Sequence, residues 1–254
     1  MSKTTGIDEL IKVMNQLLGP GGCPWDREQT HQSLVKYLIE ETYEVIEAIN
    51  QGDMHKLKEE LGDLLLQVVF HAALSEREGY FNFNQVAETV TRKMINRHPH
   101  VFANMDLKTS SEVLENWEDF KKKEGKKNLL EGVPISLPAL MRAHKLQEKA
   151  ARIGFDWPEA SGAVDKLNEE IHELLQATTE AEIKEETGDI LFSMVNIARM
   201  KGIDPEAALQ ACNDKFTRRF NYIEEKVKAM ELEFSNLSLQ QLDAMWEEAK
   251  NRGL

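Results

Sequence analysis

Two short stretches of this chain place carboxylates where a helix turns apolar. Lys58–Leu74 reads KEELGDLLLQVVFHAAL, and Lys184–Ala198 reads KEETGDILFSMVNIA. Each carries Glu-Glu-x-x-Asp: Glu59, Glu60 and Asp63 in the first, Glu185, Glu186 and Asp189 in the second. Upstream of each stands Glu-Glu-x-x-Glu, as Glu40, Glu41 and Glu44 and again as Glu169, Glu170 and Glu173. At about 100° per residue, side chains three or four apart share one strip of a helix, so each motif projects two or three carboxylates the same way. With 44 acidic residues in 254, one such triplet arises by chance about once in this length. Four of them, in matched order, exceed chance.

Like charges four apart cost an isolated helix about 0.2–0.5 kcal/mol per pair. After Asp63 the chain runs through Leu64, Leu65, Leu66, Val68, Val69 and Phe70, which leaves almost no polar face. Such a helix packs on most sides, so its acidic mouth lies beside other helices and not in open water. Ordinary placement of acids at a helix N-terminus explains one or two of them, not four clustered groups. Carboxylates that converge, with oxygen donors only, suit Mg²⁺ or Mn²⁺; Ca²⁺ fits less well because no EF-hand loop is present. Di-iron bundles need Glu-x-x-His on two helices. Here His172 lies two after Glu170, and Glu28 with His31 fits only once, upstream of the helix. His98 and His100, beside Pro99, read as loop or surface residues.

The elements that must position these groups are helices. IDELIKVMNQLL has Ile7, Leu10, Ile11, Met14, Leu17 and Leu18 on one amphipathic stripe, and strand-like alternation is missing throughout. An all-α protein is expected. Gly125, Gly132, Pro134 and Pro138 punctuate a break from Lys121 to Pro138, and the sequence on either side repeats. RKMINRHPHVF matches DKFTRRFNYIE through Lys-x-x-x-Arg, as Lys93 with Arg97 and Lys215 with Arg219. TSSEVLENWEDFKKKEG matches SLQQLDAMWEEAKNRG; both open on a capping box, Thr109 with Glu112 and Ser238 with Gln241, and both reach a Trp, Trp117 or Trp246. The boundaries expected are an N-terminal module at 1–124, a linker at 125–137 and a C-terminal module at 138–254.

Composition removes several function classes. Hydrophobic residues make up 41%, enough for a core, and 31 Lys+Arg against 44 Asp+Glu give a net charge of −13. That balance argues against a DNA or RNA duplex or an anionic membrane as partner. It permits a phosphorylated small molecule, because bound cations reverse the local field. Two cysteines, Cys23 and Cys212, exclude a disulfide framework and a Cys-based zinc site. With no signal-like apolar segment at the N-terminus and no membrane span, a cytoplasmic location is the expectation.

The paired acidic motifs on consecutive helices, followed by the Lys-x-x-x-Arg helix, resemble the MazG nucleotide pyrophosphohydrolases. The resemblance runs from about Gly6 to Arg252 as two tandem modules. It implies two MazG-like four-helix bundles that dimerise, and Mg²⁺-dependent hydrolysis of nucleoside triphosphates to a nucleoside monophosphate and pyrophosphate. It also implies that Glu170, Glu173, Glu186 and Asp189 hold the metal, with Mn²⁺ a possible substitute. Glu169 or Glu185 would orient or deprotonate the attacking water, and Lys166, Lys184, Lys215, Arg218, Arg219 and Trp246 would contact the nucleotide. The counterparts in the first module are Glu41, Glu44, Glu60, Asp63, Lys93, Arg97 and Trp117. Trp25 and Trp157, just before the acidic helices, read as core or interface.

The copies differ where cations matter: Tyr37 stands opposite Lys166, and Asn96 opposite Arg218. The second module is therefore the main catalytic candidate. Two alternatives stay open. One is a narrower pyrophosphatase acting on dUTP, dCTP or phosphoribosyl-ATP, and the other a non-catalytic, cation-binding helical regulatory or assembly protein.

Overall fold

The computed structural model describes residues 6–103, 105, 109, 112 and 128–254, and among these every regular element is helical. The chain divides into two compact units, Met1–Glu124 and Gly125–Leu254.

The first unit contains α1 (Gly6–Leu18), the short α2 (Pro24–Glu28), α3 (His31–Gln51), α4 (Met54–Arg77), α5 (Phe83–Arg97) and one turn, α6 (Pro99–Phe102). Thr30 and Ser33 close a reciprocal capping box at the start of α3. The helix ends at Gly52, whose φ of +68° suits a residue without a Cβ. Asp53 then accepts from the backbone N–H groups of His55 and Lys56 and starts α4 at once. So short a connection leaves the second helix only one course, back along the first. Glu41 and Asp63 lie equally far from Gly52 along the two helices, so they meet at one height. Packing holds the hairpin: Met14 and Leu18 of α1, Leu34 of α3, and Val69, Phe70 and Leu74 of α4 form a buried cluster.

The second unit repeats the plan with α7 (Ala139–Ala151), α8 (Ala160–Gln176), α9 (Glu180–Met200), α10 (Pro205–Ala229), a 3₁₀ turn at Phe234–Asn236 and α11 (Leu239–Asn251). Thr179 and Glu182 cap α9 reciprocally, and the short turn before it again lays α8 against α9. Ile223 and Val227 of α10 bury against Met245 of α11.

Both predicted capping boxes are present: Thr109 with Glu112, and Ser238 with Gln241. Trp117 falls outside the described residues. His98 and His100 are half-buried, His98 at the end of α5 with its Nδ1 2.7 Å from the Met94 carbonyl, so they pack more than a free loop would. His31 is the first residue of α3, its Nδ1 2.7 Å from Nδ1 of His71 in a stacked pair and its Nε2 3.3 Å from Ser75 Oγ.

Candidate metal and nucleotide site

Each antiparallel hairpin brings three carboxylates together. In the second unit, Glu170 on α8 and Glu186 and Asp189 on α9 each offer an oxygen, all within 4.8 Å of one another; in the first, Glu41, Glu60 and Asp63 do the same. A set of oxygen donors at this spacing fits a hard divalent cation. Glu173 and Glu44 stand outside the two triplets but within electrostatic reach of them, since their charges help to raise Glu186 and Glu60 respectively.

The two clusters differ in electrostatic state. Glu170 is only 5% exposed, yet its carboxyl is held below the ordinary range, first by a hydrogen bond from Lys166. The Lys166 ammonium lies 2.8 Å from Glu170 Oε1 and 2.7 Å from Glu169 Oε1. Burial raises Glu186, and its hydrogen bond with Glu170 and the charges of Glu173, Glu170 and Asp189 add to that. In the first unit Tyr37 occupies the position of Lys166, and Glu41 is raised by burial first and then by Asp63, Glu44, Glu40 and Glu60.

These directions fix the sign of a stability test in metal-free protein. A carboxyl raised in the folded state contributes stability at acid pH that is lost as pH climbs through and above the ordinary range. Glu41→Gln keeps that group uncharged, so its melting temperature at pH 7 in EDTA is expected to rise by about 2–4 °C. Glu170 is lowered, so its contribution is present above the unfolded value and is lost as pH falls through the folded one. Glu170→Gln is therefore expected to lower the melting temperature under the same conditions. Thermal denaturation of the two variants beside the parent checks both signs.

The C-terminal cluster opens onto a cavity of about 750 Å³, within the size range of small-molecule sites. Lys166, Glu170 and Asp189 form its charged side; Phe155, Trp157 and Phe192 form its aromatic wall. Trp157 is 46% exposed and rests on α8 where Gly162 has no side chain: a Cβ there would come within 2.8 Å of the indole. Arg199 pairs with Asp156 at 2.5 Å and donates to Asn196 Oδ1 from Nε at 3.1 Å and from Nη2 at 2.8 Å, which makes a second polar corner in the cavity.

A family model described as "MazG nucleotide pyrophosphohydrolase domain" matches residues 29–102 and 161–223, one segment in each unit. The "Nucleoside triphosphate pyrophosphohydrolase" of Escherichia coli (strain K12) is 44% identical over 97% of this chain and 97% of its own. The "Nucleoside triphosphate pyrophosphohydrolase/pyrophosphatase MazG" of Thermotoga maritima is also 44% identical, over 98% of each. The chain belongs to the MazG family.

The remaining candidates of this MazG chain are more dispersed. Glu185 and Lys184 are exposed on α9, outside the carboxylate triplet, and Glu169 reaches the cluster only through Lys166. Lys215 and Arg218 are exposed on α10 and make no ion pair with a described residue. Arg219 Nε donates to the Leu254 carbonyl at 2.7 Å, and its guanidinium lies 5.4 Å from the Trp246 ring. Trp246 itself is half-buried, 5.2 Å from the ring of Phe216. In the first unit Lys93 is exposed and Arg97 half-buried on α5. Sequence reading overlooked the cavity side chains. Trp157, read as core or interface, is a cavity wall, and Phe155, Asn196 and Arg199 were not singled out. The signal that could have found Trp157 is Gly162, a poor helix former in the first turn of α8.

Proposed function

We propose that this chain is a Mg²⁺-dependent nucleoside triphosphate pyrophosphohydrolase that converts (d)NTPs with broad base tolerance to (d)NMP and pyrophosphate, chiefly in the C-terminal unit. The observation that carries the reading is the carboxylate triplet Glu170, Glu186 and Asp189 at the mouth of a cavity with an aromatic wall. A metal held there neutralises phosphate charge and lowers the pKa of a bound water. The chain's own residues supply the rest. Lys166 would meet a phosphate oxygen, and Glu169, its partner at 2.7 Å, would orient or deprotonate the water that adds across the α–β anhydride. Trp157 and Phe155 offer π-faces that every base shares, which supports broad tolerance. Lys215, Arg218 and Arg219 add positive charge on α10 for the remaining phosphates.

The first unit keeps a carboxylate triplet but fills the space above it. Aligned on the acids, Leu34, Tyr37 and Phe70 stand where Ala163, Lys166 and Asn196 stand in the second unit. Leu34 and Phe70 are buried in the core, with Tyr37 packed against them. This supports a structural or weakened role for that unit.

A homodimer is part of the same reading. Val35, Ile39, Tyr43, Ile46 and Ile49 form an exposed apolar stripe along α3, and Leu61, Leu65 and Val68 another on α4. The segment 125–137 is proposed as the connection between the units; within it the Leu129 and Glu131 carbonyls accept from Lys149 of α7. No described helix is long and apolar enough to cross a membrane, and the cytoplasm is the proposed compartment.

A panel of (d)NTPs with Mg²⁺, scored for pyrophosphate against orthophosphate, tests the proposal. The expected result is pyrophosphate from most bases. Turnover of dUTP or dCTP alone would favour the narrower enzyme, and thermal stabilisation by Mg²⁺ without turnover the non-catalytic one.

A further inference from the structure

Lys166 does more in this structure than wait for a phosphate. It sits one turn before Glu170 on α8, and its ammonium contacts the buried carboxylate that the cluster would present to a cation. Two of its hydrogen bonds are spent on Glu169 and Glu170, at 2.7 and 2.8 Å. A carboxylate buried to this degree needs a counter-charge, and Lys166 is the cation on it. The first unit is the internal comparison. Tyr37 stands at this position, with its ring 6.0 Å from Trp25, and brings no charge to Glu41.

We propose that Lys166 is a tethered counter-ion that holds the Glu170 carboxylate of the C-terminal cluster until metal and polyphosphate arrive together. A bare cation must displace the ammonium from Glu170 and leave it with the exposed Glu169 alone. A cation that comes with a polyphosphate brings the oxygens that take the ammonium over. The exchange conserves ion pairs: Glu170 passes from lysine to metal, and Lys166 passes from carboxylate to phosphate. Metal and nucleotide therefore bind this unit with positive coupling, and by reciprocity each tightens the other by the same factor. The ammonium meanwhile balances the charge of the buried Glu170 carboxylate. This inference rests on the assignment of Glu170, Glu186 and Asp189 to a metal site.

The test is Mn²⁺ binding to the full chain, read by electron paramagnetic resonance, in an Asp63→Asn background that silences the N-terminal cluster. Lys166→Met is expected to tighten binding of Mn²⁺ alone by about tenfold or more. An α,β-methylene triphosphate is expected to tighten Mn²⁺ strongly when Lys166 is present and much less in Lys166→Met. Lys166→Gln, which keeps hydrogen-bond donors but no charge, should behave as Lys166→Met does and guards against a packing effect; Lys166→Arg should behave as the parent. Unchanged or weaker binding of Mn²⁺ alone in both uncharged variants overturns the counter-ion role. A different outcome tests the underlying assignment: if Asp189→Asn added to the same background leaves Mn²⁺ binding intact, the cluster is not the metal site, and the proposal falls with it.

Discussion

Asp189→Asn is expected to lower pyrophosphate release from nucleoside triphosphates by about 10³-fold or more, and Asp63→Asn to leave most of it. Each change removes one charged oxygen from a triplet whose members lie within 4.8 Å of one another. A divalent cation contributes several kcal/mol of charge stabilisation to phosphoryl chemistry, and each 1.36 kcal/mol is a factor of about ten in rate. The asymmetry comes from what surrounds each triplet. Asp189 borders the cavity of about 750 Å³, whereas the first unit places Leu34 and Phe70 in its core at the corresponding positions. Asp189 is exposed and Asn has nearly its shape, so the variant should fold, with circular dichroism as the check. Equal losses from the two variants would show that the units share the work and would remove the preference for the second.

The sequence made the helices and the acid triplets legible because both depend on local spacing. An apolar stripe such as the one from Ile7 to Leu18 is visible one helix at a time, and a carboxylate strip needs only positions three or four apart. The turn signals Gly52, Asp53 and Thr179 then fold each pair of strips face to face. The cavity was hidden because it depends on distant residues and on small side chains. Ala163 matters by leaving space, and Gly162 by letting an indole lie on a helix; neither has a chemical signature of its own. Trp157 could be assigned to core or cavity only once its neighbours were known. Arg199 carries no signal of its own in the sequence, since its partners Asp156 and Asn196 lie on a preceding loop and on its own helix. Lys166 was legible as a cation, but its hold on Glu170 depends on how deeply that carboxylate is buried.

Building the first unit's filling into the second should separate the nucleoside's place from the metal's. Ala163→Leu with Asn196→Phe installs in the C-terminal unit the side chains that stand at the equivalent positions of the first. The expected result is a fall in kcat/KM of about 10²-fold or more, carried largely by KM, because loss of a base stack alone is worth about 1–3 kcal/mol. Mn²⁺ binding to Glu170, Glu186 and Asp189 should persist, since neither substitution touches a carboxylate. Ala163 is only 1% exposed, so the added bulk is expected to cost about 1–3 kcal/mol of stability, and thermal denaturation must show that the variant remains folded. Trp246→Ala supplies the contrast. Its ring is already engaged by Phe216 and Arg219, so its loss should lower stability more than it raises KM. The opposite pattern, with KM insensitive to the filled cavity and strongly raised by Trp246→Ala, would move the base out of the cavity and onto α11. The cavity's aromatic wall would then be a packing surface, and only the carboxylate triplet would remain of the site described for this unit.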